Sequence, residues 1–206
     1  MKNLFLLDSG TIILIVVLVI LAILIIIALC FVVWGVKKAN MLKRMQVKIK
    51  EAASDIDVAL TKRFDLLTKQ YEICKGYAKH ENTTLVDVAK MRSGVQETKN
   101  ADGTVDMKKV GAANADMNRL AANINIIVER YPELKANTMF ISLSNSCQDI
   151  EEHLQASRRL YNADVSLYNQ DIVVFPSSII AHMIHAQPAE FFQADEEKKQ
   201  DVKMEF

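Results

Sequence analysis

The sequence is short of the residues that bend a chain. Its 206 residues contain only 6 Gly and 3 Pro, where ordinary usage would give about 25 of the two together. β-Sandwiches, glycine-rich phosphate loops and flexible linkers all need more of both, so an all-α protein remains. Net charge is absent as well. Twenty-five basic side chains balance 25 acidic ones, which argues against a nucleic-acid binder with its usual basic excess. There are only 3 Cys; Cys74 and Cys147 lie at helical core spacings and need no disulfide in a reducing compartment.

What is present begins with Ile12–Trp34, 23 consecutive residues without a polar side chain. As a helix they rise about 34 Å, enough for a hydrocarbon core of ~30 Å. A cleaved signal peptide has a shorter apolar core, a basic lead and a small-residue cleavage site. Here Lys2 alone precedes the run, and no A-x-A follows. Cys30 lies inside the run after Leu29 and reads as an inert thiol, not a lipidation site. Lys37, Lys38, Lys43, Arg44, Lys48 and Lys50 follow the span, with no acid before Glu51. Positive-inside bias places the N-terminus outside and the remainder in the cytoplasm. These six basic residues also suit anionic head groups. Because they come first, residues 51–206 hold a surplus of six acids.

The organisation expected is a short extracytoplasmic segment (1–10), a transmembrane helix (11–36), a helical domain (37–187) and an acidic tail (188–206). Ile49, Ala53, Ile56, Leu60, Phe64, Leu67, Tyr71, Cys74 and Ala78 recur mostly three and four apart, the seam of a long helix packed against partners. With Gly35 as its one interruption, this helix reads as a continuation of the span. Near His80-Glu81-Asn82 it either bends or restarts; Thr84 and Asp87 resemble a capping box. Residues 94–106 read as a polar loop. A helix follows over Met107–Arg130, with Met117, Leu120, Ile124, Ile127 and Val128 on its apolar face, and Tyr131-Pro132 ends it. A third helix starts at Asn137-Thr138 and runs to Val174. Its seam is Phe140, Leu143, Cys147, Ile150, Leu154, Ser157, Tyr161, Asp164, Tyr168, Asp171 and Phe175. Pro176 stops it, and residues 178–184 form a short helix. Three helices on short connections predict an antiparallel bundle.

Several strings then resemble, in order, the LemA family. They are Ser54-Asp-Ile-Asp-Val58, Lys62-Arg63-Phe64-Asp65-Leu66, Lys75-Gly-Tyr-Ala-Lys-His-Glu81, Tyr131-Pro-Glu-Leu-Lys-Ala-Asn137, Arg158-Arg-Leu-Tyr-Asn162, Tyr168-Asn169 and Phe175-Pro-Ser177. Phe191-Phe192 and the final Val-Lys-Met-Glu-Phe206 extend the likeness over essentially the whole chain. The resemblance implies a bacterial membrane-anchored helical bundle, N-terminus outside, with no established enzymatic activity. One family member is implicated in forming magnetosome membranes, which implies a part in membrane organisation. Where the family usually has Pro-Asn, this chain has Leu67-Thr68-Lys69-Gln70, so a kink made there by relatives is expected to be missing.

For chemistry the residues offer little. Asp55 and Asp57 are two apart and point to different sides of a helix, so they form no dyad. No P-loop, G-x-S-x-G, H-E-x-x-H or C-x-x-C string occurs. His182 and His185 have a helical spacing for two metal ligands but no third partner nearby, and structural zinc wants four. No enzyme activity, cofactor or metal is expected. Tyr161 and Tyr168, and Asn162 and Asn169, share helix faces at seven-residue spacing, just after Arg158 and Arg159. They form either a polar groove for a peptide or head group, opposite Asp55, Arg63 and Asp65, or a paired core network that fixes register; the network is the simpler reading. Phe191 and Phe192 lie in a charged tail, where they either dock on a neighbouring subunit or fold back on their own chain. The leading expectation is a non-enzymatic scaffold at the bacterial inner membrane that contacts lipid and self-associates. The alternative is an adaptor for a signalling or transport system, holding a protein partner's segment in the Tyr/Asn/Arg groove.

Overall fold

A computed structural model describes residues 9–77, 85–101 and 103–193. Among these residues the protein is all-helical: α1 (Ser9–Tyr77), α2 (Leu85–Gln96), α3 (Met107–Arg130), a 3-10 turn (Pro132–Ala136), α4 (Thr138–Val173) and α5 (Ser177–Met183). The bend or restart expected at residues 80–82, the Thr84 cap and Ala78 lie outside the described residues. Helix α1 passes through Gly35 and through Leu67–Gln70 without a break, as the missing Pro-Asn pair allows. The chain divides into two compact units, residues 1–44 with 171–187, and residues 45–170 with 188–206.

The first unit holds the apolar run. None of the apolar window is buried within the protein, and by length and composition this stretch is a candidate membrane span. Just past its end, Gly35 is buried, and a Cβ there would meet Ile180 Cδ1 at 3.2 Å. Glycine thus permits α5 to approach α1 closely. Lys38 bonds Asp171 at 3.0 Å. The buried Ser177 hydroxyl donates to the carbonyls of Asp171 and Val174, at 2.6 and 2.8 Å, closing the last turn of α4. Helix α5 ends in a paired cap: Ala186 N–H donates to the Ala181 carbonyl, and His185 N–H to that of His182. His185 takes φ 52°, the left-handed position of that motif. It therefore lies beyond the helix, and the expected helical spacing of His182 and His185 does not hold.

In the second unit the α1 seam is buried at Ile49, Ala53, Ile56, Leu60, Phe64, Leu67, Tyr71 and Cys74. Helices α1 and α4 run antiparallel: Gln46 bonds Tyr168, Arg63 pairs with Glu151 and Gln70 bonds Ser144, so the numbers fall on one helix as they rise on the other. Helix α3 supplies Val110, Ala113, Met117, Leu120, Ile124 and Ile127 to the core. It begins at Asp106, whose carboxylate accepts from the N–H groups of Lys108 and Lys109, an N-cap. Asn137 does the same for α4 through Met139 and Phe140. Between α2 and α3 the chain turns tightly, with a Lys99–Val105 bridge and Gly103 at φ 80°. The α4 seam departs from expectation at its end. Phe175 is 76% exposed, because the helix stops at Val173, and Val165 and Ile172 are buried between the polar positions.

Candidate functional site

Seven residues of helix rise about 10.5 Å, so Asn162 and Asn169 stand on one face of α4 at that separation. Three residues of extended chain span about 10 Å. The match is used. The Asn169 amide donates to the Ala189 carbonyl at 2.9 Å, and its carbonyl accepts the Ala189 N–H at 2.9 Å. Three residues on, the Asn162 amide donates to the Phe192 carbonyl at 3.1 Å and accepts the Phe192 N–H at 2.8 Å. Each side-chain amide thus replaces a peptide group, satisfying the donor and acceptor of one residue of an extended segment antiparallel to α4. Between them Tyr161 donates its hydroxyl to the Glu190 carbonyl at 2.9 Å. Burial, helped by Glu190, pushes the Tyr161 pKa up, so the phenol stays a donor.

Side chains of this segment alternate in the manner of a strand. Phe192 points in and is 8% exposed, while Phe191 points out at 47%. The Arg158 guanidinium lies over the Phe192 ring, 4.6 Å from its centroid, a cation–π contact. The two phenylalanines therefore differ in role, and the tail occupies its own chain. The segment through Gln193 docks on α4 in place of standing free as an aromatic lure. Lys108 also approaches Glu190 at 3.5 Å, an exposed pair of little weight.

The remaining polar residues do not face this clasp. Arg63, 7% exposed, is the hub of a separate network. Its guanidinium donates to Asn114 and, at 2.8 Å, to Asn118 on α3, and pairs through Nε with Glu151 on α4 at 2.9 Å. Burial lowers the Arg63 pKa, against the opposing pull of Glu151 and Cys147. Asp57 is buried and accepts from Thr98 at 2.6 Å, with Lys99 at 3.1 Å. Gln70 donates to Ser144 and accepts from the Cys147 thiol at 3.3 Å. Tyr168 is fully buried and takes Gln46. Two-residue steps turn a helix by about 200°, so Asp55 and Asp65, beside the inward Asp57 and Arg63, are exposed. Arg159 is exposed as well. The expected groove wall of Asp55, Arg63 and Asp65 is thus absent. One polar set splits into a register network and a tail clasp.

Of the basic cluster, Lys37, Lys43, Arg44, Lys48 and Lys50 are exposed, whereas Lys38 is committed to Asp171. Among the described residues no group of three or more His, Cys, Asp or Glu side chains is placed to hold a metal. Sequence reasoning missed Asn114 and Asn118, whose four-residue spacing on α3 was a readable signal, and Gln46 and Glu151, which carried none.

The sequence model of the LemA family matches residues 52–206, three quarters of the chain, with the clasp and all of the network but Gln46. Protein LemA of Metamycoplasma hominis is 29% identical over 167 residues, which cover 81% of this chain and 74% of that protein. The chain belongs to the LemA family.

Proposed function

We propose that the protein is a non-enzymatic, membrane-anchored adaptor whose α4 face binds extended peptide segments, with its own tail as the resting occupant. In this reading α1, α3 and α4 form an antiparallel three-helix bundle on the cytoplasmic side of the bacterial inner membrane, and the N-terminus lies outside. The flanking charge supports that direction, with five exposed basic residues following the apolar run. The observation that carries the reading is the paired use of Asn162 and Asn169, each bonding both main-chain groups of one residue. A merely register-fixing core needs no such fit to an extended backbone.

Main-chain recognition is blind to sequence, so selectivity comes from the aromatic seat under Arg158. A labelled peptide of residues 186–193 tests the idea by fluorescence anisotropy in detergent. It should bind a chain ending at Gln187 and fail to bind that chain carrying Asn162→Ala and Asn169→Ala. Absence of binding to the shortened chain, with its helical content intact, would sink the proposal.

A second reading follows from the same blindness to sequence. The tail of another copy meets the same amides equally well, so exchange of tails would make a self-associating membrane scaffold. Two differently tagged full-length chains, reconstituted together, separate the readings. A cross-link from Gln193→Cys of one tag to Arg159→Cys of the other favours exchange, and cross-links confined to one chain bearing both cysteines favour the adaptor.

A further inference from the structure

Among the described residues the first unit leaves a cluster of apolar side chains exposed. Val173, Val174, Phe175, Ile179 and Met183 are all exposed, Val173, Phe175 and Met183 at 70% or more, within eleven residues of chain. Isolated exposed apolar residues need no explanation, but a contiguous group of this size does. Their place in the fold supplies one. Asp171 is bonded to Lys38, four residues past the apolar run, and Ile180 touches the position of Gly35, one residue past it. Between Asp171 and Ile180 the chain therefore advances toward the end of the span. Trp34, half-buried and 5.5 Å from the Phe31 ring, stands at that level, where membrane helices place interfacial aromatics.

We propose that the turn joining α4 to α5, with the outer face of α5, is a second membrane-contacting element seated in the interfacial zone of the bilayer that residues 12–34 cross. Ser177, Ile180 and Ala181 are buried, leaving Ile179 and Met183 on the other side of the short helix. The Val173–Phe175 turn then enters the head-group and upper acyl region, and the exposed Lys37, next to Lys38 in the chain, meets anionic head groups. The occupant is lipid, because the patch adjoins a surface already in lipid. The ion pair of Lys38 with Asp171 ties the element to the span. This inference rests on the membrane-span reading of residues 12–34.

The single native Trp34 makes the test direct. Full-length protein is reconstituted in phosphatidylcholine–phosphatidylglycerol vesicles, with or without lipids brominated high on the acyl chain. Wild-type Trp34 reports the span. In a Trp34→Phe background, Phe175→Trp and, separately, Met183→Trp report the turn and α5. Blue-shifted emission from both, quenched by brominated lipid to a similar extent as Trp34, is the expected result. Emission at both sites that acrylamide quenches and bromine does not, with Trp34 still quenched, overturns the proposal and leaves the span standing. Blue-shifted emission that neither agent quenches overturns it in favour of a protein cover. Failure of wild-type Trp34 to respond to brominated lipid overturns the span reading itself, and this inference with it.

Discussion

Asn162 grips the main chain of Phe192 at both of its polar groups, accepting its N–H at 2.8 Å and donating to its carbonyl at 3.1 Å. Asn162→Ala removes both bonds. At about 1 kcal/mol net for each, opening of the tail becomes easier by about 2 kcal/mol, some 30-fold in the opening equilibrium. Hydrogen exchange at the amides of Ala189 and Phe192 should accelerate by that order. The global unfolding midpoint should move little, since the clasp holds one short segment. Asn162→Asp keeps the acceptor but sets a carboxylate against the Phe192 carbonyl, so it should release the tail at least as well. Unchanged exchange in both variants would refute the clasp.

The two adjacent phenylalanines provide a second measurement. Phe192 is buried under Arg158 and Phe191 is half-exposed. Phe192→Ala should free the tail by the loss of an aromatic burial, about 3 kcal/mol for a side chain so placed, and limited proteolysis after residue 187 should become rapid. Phe191→Ala should change the same cleavage rate by no more than about 0.5 kcal/mol, the scale of an ordinary surface substitution. Equal effects would mean the alternation along the extended segment is wrong.

Arg63 tests the other half of the split polar set. Arg63→Leu leaves Asn114, Asn118 and the Glu151 carboxylate without their shared donor. Removing one member of such a buried set costs about 3–5 kcal/mol, read as a lower urea midpoint with unchanged slope. Arg63→Lys should recover little of this, because an ammonium cannot present the planar fork that meets three partners on two helices. Recovery by Lys would show that charge alone, and not geometry, is what the site uses.

Much of this architecture is legible in the amino-acid sequence. The α1 seam follows from its three-and-four spacing, the end of α3 from the Tyr131-Pro132 stop, and the start of α4 from Asn137. Each is a local rule of helix chemistry. The site is legible only by half. The spacing of Asn162 and Asn169 announces a shared face, but an extended segment held by amides has no periodicity that names it in advance. Asp57 and Asp55 look alike in the sequence; the helix turn decides which is buried, and the partners Thr98 and Lys99 come from a distant turn. Phe175 fails as a core residue because Ser177 closes α4 on the carbonyls of Asp171 and Val174, so the heptad ends before reaching it.

Cys74 carries a pH dependence. Burial raises its pKa from 9.0 to about 11, so the folded protein favours the neutral thiol. A folded-state pKa above the unfolded one gives stability that is fully present below the unfolded value and is lost as pH rises through the folded one. Folding stability should therefore hold to about pH 9 and decline from there to pH 11, and Cys74→Ala should flatten part of that decline. Cys147 and Tyr161, also raised by burial, add to the decline in the same direction. Near pH 8 the Cys74 thiol should resist a polar maleimide until the protein unfolds, since the thiolate is the reacting form.

Two glycines separate helix propensity from close packing. Gly111 lies in the second turn of α3, and a Cβ there would meet nothing within 4 Å. Gly111→Ala should stabilise the protein by about 0.5–1 kcal/mol through propensity and the restricted unfolded chain. At Gly35 the same methyl would lie 3.2 Å from Ile180 Cδ1, tighter than ordinary van der Waals contact. Gly35→Ala should therefore lose stability, on the order of 1 kcal/mol or more as for other overpacked sites, when thermal unfolding is followed in detergent. Ile180→Val, by shortening the opposing side chain, should restore much of the loss. Such rescue would place α5 against the end of the apolar run by energetics, independently of any lipid measurement, because a methyl on a helix facing only solvent or lipid would not care what stands at residue 180.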